Sequence, residues 1–320
     1  MRPTGALHMG NYLGALSNWV GMQDQYDCFF FVADWHALTS DYEQTGSMEI
    51  YVREIILDWL SAGLSPEKST LFIQSKIPEH AELFLVLSMI TPVPWLERNP
   101  TYKDQIVQLQ NKDLSTFGFL GYPVLQAADI IMYKAQGVPV GVDQVPHVEI
   151  TREIARRFNF LYGPIFPEPD AILTHTPKIL GIDGRKMSKS YGNAVFLSDT
   201  PEQVRTKVMQ MVTDPQRARR SDPGNPDICN VYEFHKLYTP ENVTAQIGDQ
   251  CRCAEIGCVD CKKSMAANLI QALAPIHEKR MYYKERPELI EEVIDAGSRK
   301  AGNVARQTMQ EVREALKISY

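Results

Sequence analysis

The sequence lacks the segments that carry a chain into or across a membrane. Its longest apolar run, Cys28–Ala33, is too short to span a bilayer, and the N-terminus has no apolar stretch with a small-residue cleavage site. Low-complexity segments and internal repeats are missing as well. We therefore expect a cytoplasmic globular protein with no membrane segment.

An excess of positive charge is also lacking. The 320 residues carry a net charge of −6, and 44% of them are hydrophobic and 22% charged, which makes no general case for nucleic-acid binding. The basic clusters nevertheless all lie after residue 200, at 217–220, 262–263 and 299–300. A polyanion would fit that part of the chain best, although solvated charge on helix surfaces explains the clusters equally well.

Strand and helix patterns alternate over the first two-thirds of the chain. Apolar runs at 28–33, 70–74 and 138–140 predict strands, and helical periodicity covers 48–62, 79–90, 122–133 and 143–158. This order predicts an α/β fold with a Rossmann-like, doubly wound parallel sheet, whose ligand lies at the carboxyl ends of the strands. No strand pattern follows residue 198. We therefore expect an α/β domain over 1–198 and an all-helical domain over 199–320, with a last helix at about 304–316.

A glycine-containing motif, Pro3-Thr4-Gly5-Ala6-Leu7-His8-Met9-Gly10-Asn11, precedes the first helical pattern. Its glycines let the backbone approach a ligand closely, and the N-terminus of the following helix offers N–H groups to a phosphate. His8 and Asn11 would add donors to an α-phosphate as charge develops on it. Taken alone, the motif is equally well explained as a loop and helix cap with no ligand.

A second motif, Lys186-Met187-Ser188-Lys189-Ser190, lies in mid-chain between Gly184 and Tyr191-Gly192-Asn193. These residues are typical of a cationic loop, which can close over a triphosphate and place Lys186 and Lys189 on the departing pyrophosphate. A solvated basic loop is the alternative. The occurrence of both motifs in this order, with the length of a doubly wound domain between them, favours a nucleotide site.

Together the two motifs resemble the ATP-handling motifs of class I aminoacyl-tRNA synthetases. Three further segments, Asp34–Ala37, Tyr122–Asp129 and Val138–Gln144, are similar to the bacterial tryptophanyl branch of that class. The resemblance implies that the chain activates L-tryptophan with ATP and Mg²⁺, transfers it to tRNA(Trp) and forms a homodimer. It also implies that 1–198 is the catalytic domain and that 199–320 recognises the anticodon.

The resemblance further implies a role for individual residues. An indole N–H needs one acceptor in an otherwise apolar slot, and Asp129 has that role in the family; a buried carboxylate without a partner would otherwise cost several kcal/mol. Catalysis would use His8, Lys186 and Lys189. ATP would bind to Arg2, Pro3, Thr4, Gly10, Asn11, Gly141, Val142, Asp143, Ile179, Lys186, Met187, Ser188, Lys189 and Ser190. Tryptophan would bind to His36, Tyr122, Asp129, Val138, Val140 and Gln144.

Two alternatives stay open. A tyrosyl enzyme is one, because Tyr122, Gln126 and Asp129 are spaced as in that branch too, although the Val138–Gln144 segment and the cysteines argue against it. A non-catalytic, RNA-binding relative is the other. Family members have an apolar strand and a Ser-Gly turn ahead of the Pro-Thr-Gly segment, whereas only Met1 and Arg2 precede Pro3 here. Exchange of pyrophosphate into ATP separates a catalytic from a non-catalytic protein.

Five of the six cysteines fall within residues 229–261. Cys229, Cys251, Cys258 and Cys261 form a C-x21-C-x6-C-x2-C pattern, with Cys253 in addition. Zinc sites favour two close pairs, whereas four thiolates with one long gap suit a [4Fe–4S] cluster as well. A subset of the tryptophanyl branch carries such a cluster, with one more residue in the long gap. We expect a [4Fe–4S] cluster on these four cysteines, with zinc or unligated thiols as alternatives.

Overall fold

The computed structural model describes residues 1–108, 113–173 and 179–320. Two pairs of parallel strands form its sheets. Strand β1 (Cys28–Val32) pairs with β2 (Ser69–Ile73), with Cys28 opposite Ser69, and β3 (Gly137–Val140) pairs with β4 (Asp170–Leu173), with Gly137 opposite Asp170. The parallel direction places the carboxyl ends of each pair at one edge, where the predicted site residues follow the strands.

The described residues form fourteen α-helices. In chain order they are α1 (Met9–Asn11), α2 (Ser17–Met22), α3 (Asp34–Asp41), α4 (Met48–Ala62), α5 (Glu79–Ile90), α6 (Val93–Glu97), α7 (Pro100–Gln108), α8 (Phe117–Ile131), α9 (Val145–Tyr162), α10 (Pro201–Gln210), α11 (Asn230–Tyr238), α12 (Glu241–Arg252), α13 (Cys258–Lys284) and α14 (Pro287–Ala315). A π-helical turn at Tyr12–Leu16 joins α1 to α2. None of these helices is both long and apolar enough to cross a membrane.

Helices cover both faces of the first strand pair. Neighbouring residues on β2 show this arrangement: Leu71 lies in one buried cluster with Trp59 of α4 and Leu269 of α13, whereas Phe72 lies in another with Leu87 of α5. Side chains alternate between the two faces of a strand, so two covered faces require an apolar residue at both positions. The predicted α/β class is confirmed.

The C-terminal helices share these buried clusters. Residues from α13 complete the first cluster, and Ala301 and Ala305 of α14 belong to the second. At Gly297, α14 presses so closely on β2 that a Cβ would lie 1.8 Å from the Leu71 carbonyl oxygen. The described residues after 198 form no strand, as expected, but the buried core continues across that position.

A cleft of about 580 Å³ separates β1 from β3. Its walls include Cys28–Phe31, Gly137–Pro139 and the side chains of Asp129 and Tyr133. At its edge the Met1 amino group donates to the Phe31 carbonyl at 2.6 Å, and the Met1 carbonyl accepts from Ala33 N–H at 2.8 Å. This is the bonding pattern of a residue that runs parallel to β1. Beyond this residue, the described parallel strands are arranged as two separate pairs with the cleft between them.

Candidate active site

The first motif turns directly into helix α1. His8 is its N-cap: the ring Nδ1 accepts from Asn11 N–H at 3.2 Å, and the Asn11 side-chain oxygen accepts from His8 N–H at 3.1 Å. This reciprocal cap fixes the His8 ring, and because Nδ1 is the acceptor, the neutral ring carries its proton on Nε2. The motif thus presents one fixed donor at a helix N-terminus.

The second motif lies directly against the first. The Lys189 amine donates to the Thr4 and Gly5 carbonyl oxygens, both at 2.9 Å, and to Thr4 Oγ1 at 3.2 Å. A Cβ added at Gly10 would lie 3.7 Å from Met187 Cβ. Segments about 180 residues apart in sequence therefore form one site, as expected from a nucleotide-binding pair of motifs.

The remaining residues of the second motif differ in exposure. Lys186 and Ser190 are exposed, whereas Met187 is buried and its N–H donates to the Ile179 carbonyl at 3.0 Å. Ile179 itself is buried in the core beside Met187. Ser188 N–H donates to the Asn193 side chain at 2.8 Å. The buried methionine thus anchors a loop whose polar side chains stay accessible.

Burial changes the proton affinities of both basic groups. It lowers the pKa of His8 to about 4, and the nearby Lys189 charge lowers it further in the same direction. Burial also lowers the pKa of Lys189 to about 8, against the opposing effect of Asp58. At neutral pH the site therefore holds a neutral imidazole beside a mostly protonated amine.

A group of aromatic and polar side chains lies beyond the carboxyl ends of β1 and β2. The His36 and Tyr122 rings meet edge to face, with centroids 5.5 Å apart, and Tyr122 Oη lies 3.0 Å from His147 Nε2. Burial lowers the pKa of His36 to about 3, so this ring is neutral. Arg2 interacts electrostatically with both His36 and Tyr122. Three of the predicted residues are thereby brought together.

Asp129 is buried but has several partners. Its oxygens accept from Gln74 Nε2 at 2.8 and 2.9 Å, and Oδ1 lies 2.6 Å from His80 Nδ1. His80 Nε2 continues the network to Tyr133 Oη at 2.7 Å. Sequence reasoning treated this carboxylate as costly without a ligand. The contacts remove that cost, since Gln74 and His80 already stabilise the charge.

The other predicted residues follow β3. Val138 lies on the wall of the cleft with Asp129, whereas Val140 is buried. Val142 and Asp143 are exposed and Gly141 is half-buried. The Gln144 amide donates to Asp143 at 3.0 Å. The Gln144 N–H donates to the Gly141 carbonyl at 2.9 Å, so both of these hydrogen bonds join Gln144 to residues expected to hold the ribose.

Gln74, His80, His147, Asp58 and Arg280 were missed from the sequence. Asp58 offered a signal, because it is a charged residue inside the apolar stretch of α4. The structure buries it completely, and its carboxylate accepts from Leu7 N–H at 2.7 Å and from the Arg280 guanidinium. Burial raises the pKa of Asp58 to about 6, against the lowering effects of Arg280 and Leu7 N–H.

Four cysteines of the C-terminal region lie near one another. The Cys261 thiol interacts electrostatically with Cys229, Cys251 and Cys258. Arg217 Nη1 lies 3.9 Å from the sulfurs of both Cys251 and Cys258, and the backbone packs closely on Cys251 at Gly224, where a Cβ would lie 2.6 Å from Cys251 Sγ. Cys253 is exposed. As they stand, however, no three His, Cys, Asp or Glu side chains in the described ranges are grouped closely enough to hold a metal ion.

Comparison with known proteins agrees with this geometry. The family described as "tRNA synthetases class I (W and Y)" matches residues 1–274. The chain therefore belongs to the class I tRNA synthetases of the tryptophanyl and tyrosyl type. The tryptophan–tRNA ligase of Thermotoga maritima is 52% identical over 322 aligned positions, which cover 100% of this chain and 98% of that protein. The tryptophan–tRNA ligase of Aquifex aeolicus is 48% identical over 388 positions, covering 99% and 98% of the two chains.

A solved structure shows the same fold. The tryptophanyl-tRNA synthetase of Campylobacter jejuni, crystallised with ADP and tryptophan, is 32% identical and matches with a TM-score of 0.91. The match covers 99% of this chain and 98% of that one. The Rossmann-like class I fold expected from the sequence is confirmed.

We predict that replacing Lys189 raises the pKa of His8. In Lys189→Gln the value should rise above about 4 but stay below the ordinary 6.5, because burial is the larger cause of the shift. NMR titration of histidine Cε1–H signals measures it, with His8→Gln to assign the resonance. Between pH 6.5 and 4 the unfolded chain binds a proton at His8 that the folded chain does not, so stability should fall as pH falls through that range. An unchanged His8 pKa in Lys189→Gln would contradict the proposed proximity of the two charges.

Proposed function

We propose that this chain is a tryptophan–tRNA ligase, which activates L-tryptophan with ATP and transfers it to tRNA(Trp). The observation that carries the proposal is the contact of the Lys189 amine with Thr4 and Gly5, beside the fixed His8 ring. The full-length similarity to tryptophan–tRNA ligases supports the choice of amino acid.

Adenylate formation needs no nucleophile from the protein. A carboxylate oxygen of tryptophan bonds to the α-phosphorus of ATP, and the bond from that phosphorus to the bridging oxygen of pyrophosphate breaks. A hydroxyl of the terminal ribose of the tRNA then attacks the activated carbonyl, and AMP leaves. Mg²⁺ would accompany ATP and neutralise part of the phosphate charge. The protein's contribution is to position the reactants and to stabilise charge.

His8 and the two lysines would supply that stabilisation. The Nε2–H of neutral His8 can donate to an α-phosphate oxygen without giving up its proton, since its pKa of about 4 is far below neutral. Lys189 is held by uncharged carbonyl and hydroxyl oxygens, which a phosphate oxygen can displace. Lys186 is exposed and can reach pyrophosphate as the loop closes. Both lysines then strengthen their contacts as negative charge moves to the leaving group.

The remaining ATP contacts follow from the family pattern. Gly141, Val142 and Asp143 would hold the ribose beyond β3, where Val142 and Asp143 are accessible. Arg2, Pro3, Thr4, Gly10 and Asn11 would surround the phosphates. Met187, Ser188 and Ser190 would close over the nucleotide, and Ile179 would approach adenine from the core side of Met187.

Tryptophan would bind between the aromatic group and Asp129. Gln74 and His80 hold the Asp129 carboxylate in a fixed orientation, and its oxygens retain lone pairs for one more donor, the indole N–H. A phenol could donate to the same carboxylate, so this contact does not distinguish tryptophan from tyrosine. The argument against the tyrosyl alternative comes from the similarity to tryptophan–tRNA ligases. His36, Tyr122, Val138, Val140 and Gln144 would complete the pocket.

We predict that tryptophan, and not tyrosine, supports exchange of labelled pyrophosphate into ATP. Asp129→Asn should raise the KM for tryptophan at least about tenfold, because an indole N–H then loses its charged acceptor, while the KM for ATP stays within about twofold. Asp24→Asn, an exposed change, is the matched control. Exchange with tyrosine alone would support the tyrosyl alternative. Absence of exchange with either amino acid would support the non-catalytic alternative.

The helical region over 199–320 would recognise the anticodon and hold a [4Fe–4S] cluster. Four thiols lie near one another there, although they would have to move closer together to bind a metal, and Arg217 offers positive charge beside two of them. Cys229, Cys251, Cys258 and Cys261 would be the ligands, with zinc as the alternative metal. The cluster would supply a cross-link between distant segments of the region, close to Arg219, Arg220 and Lys262, which can meet RNA phosphates.

We predict that anaerobically purified protein is brown and contains about four irons per chain. Serine at any of the four positions should remove most of the iron and raise the KM for tRNA(Trp), because the region loses its cross-link, while pyrophosphate exchange stays within about twofold. Cys253→Ser and Cys28→Ser are the controls and should keep both the iron and the tRNA affinity. Stoichiometric zinc without iron would replace the cluster by a zinc site, and absence of both metals would reject it.

Homodimer formation, typical of the family, has a suitable surface in the apolar face formed by α5, α6 and the start of α8. Four exposed apolar side chains, Leu85, Met89, Val93 and Phe117, define this face. Met89 is 73% and Phe117 70% exposed, and a partner that covered this face would remove that apolar area from water.

We predict a dimer in sedimentation velocity at micromolar concentration. Met89→Glu should shift the protein to monomer, because it places a charge in the covered face. Phe160→Glu, at an even more exposed apolar residue of α9 outside this face, should leave the dimer intact. A monomeric wild-type protein would contradict the assignment, and so would dissociation caused equally by both variants.

A further inference from the structure

A buried ion pair joins helix α13 to helix α4. The Arg280 guanidinium, near the C-terminal end of α13, contacts the carboxylates of Asp58 and Glu54 on α4. The Asp58 side chain is fully buried and that of Arg280 is 11% exposed. The partners are 222 residues apart in sequence. Two distant parts of the chain are therefore joined by a buried ion pair.

The Asp58 carboxylate also contacts the first motif. Asp58 Oδ2 accepts from Leu7 N–H at 2.7 Å, one residue before His8, and Asp58 also interacts electrostatically with Lys189. On its other side, the Leu7 carbonyl accepts from Leu197 N–H at 2.9 Å. The Leu7 N–H is thus tied to α13 through one intermediate residue, Asp58.

Stability alone explains this arrangement poorly. A buried ion pair gives back much of its Coulomb energy as desolvation cost, and well-packed apolar residues often replace such a pair without loss. What an apolar pair could not do is accept a hydrogen bond from Leu7 N–H. The charge of Asp58 in turn needs Arg280, since burial would otherwise favour its protonated form.

We propose that Arg280 and Asp58 are positioning residues for adenylate formation: Arg280 fixes the Asp58 carboxylate, which fixes the Leu7 peptide and thereby the positions of His8 and Lys189. This role rests on the proposed function of His8 and Lys189 at the triphosphate. Neither residue of the pair touches the reacting atoms. Their effect appears when the motif must match the transition state, because an error of about 1 Å there can cost about a hundredfold in rate.

The test is tryptophan-dependent pyrophosphate exchange with Arg280→Gln, Asp58→Asn and the double variant. Arg280→Gln should lower kcat about tenfold or more while the KM for tryptophan stays within about twofold, since the aromatic group is not attached to this pair. Arg280→Lys, which keeps the charge, should recover part of kcat. The double variant should resemble Arg280→Gln alone, because Arg280 acts through Asp58 and the effects of coupled residues do not add.

The control is Arg53→Gln, which removes a half-exposed ion pair between α4 and Glu291 of α14 at 2.9 Å without touching the motif. It should leave kcat within about twofold. Should Arg280→Gln fail to fold, the double variant removes both charges, avoids an unpaired buried carboxylate, and must still show the loss of kcat. Equal losses with Arg53→Gln, additive losses in the double variant, or equal rises in the KM of both substrates would overturn the proposal. If the wild-type protein shows no exchange, the proposed function fails instead.

Discussion

The proposed nucleotide site depends on the contacts of the Asp58 carboxylate. This carboxylate is a charge without access to water, so its position is decided by the groups that stabilise it. These come from three separate parts of the chain: the Leu7 peptide, Lys189 and Arg280 of α13. The first motif pairs with residues 195–197 through a short antiparallel bridge, in which His8 lies opposite Phe196. A short loop next to a helix N-terminus keeps one geometry only when its neighbours determine it.

Asp129 follows the same principle on the other side of the site. Gln74 links it to the His36 backbone, since the Gln74 side-chain oxygen accepts from His36 N–H at 3.1 Å while its amide donates to Asp129. Residues after β1, after β2 and on α8 are thereby joined by a single amide. A fully partnered polar network is rigid, whereas a partly satisfied one is costly. The pocket that would bind indole is therefore shaped by residues that need not contact it.

The sequence patterns predicted local structure, but not the contacts between elements that are distant in the chain. Helices over 48–62 and 79–90 were predicted at their observed bounds, because apolar periodicity and the Gly63 cap are visible in sequence. Helix α8 begins at Phe117 rather than at Tyr122, because the capping residue is Thr116 and Pro123 lies inside the helix. Helix α14 begins at Pro287, well before the predicted start, since Gly297 weakens its pattern; that glycine is required by the close approach to β2. The short strand β4 carries too little pattern to be recognised.

The site shows the same division. The two motifs were identified from sequence, and their contact was expected from the family pattern. The partners of Asp58 and Asp129 lie on other elements far away in the chain, so no sequence spacing could predict them. Helix α13 makes the consequence plain. It is 27 residues long, or about 40 Å, with Cys258 and Cys261 in its first turns and Arg280 near its end, and Leu269 and Leu273 pack it into the shared core between them. A helix held along its length transmits position from one end to the other, with Pro275 as the one place where its hydrogen bonding is interrupted. The region proposed to bind tRNA therefore shares helix α13 with Arg280, which is proposed to position the first motif.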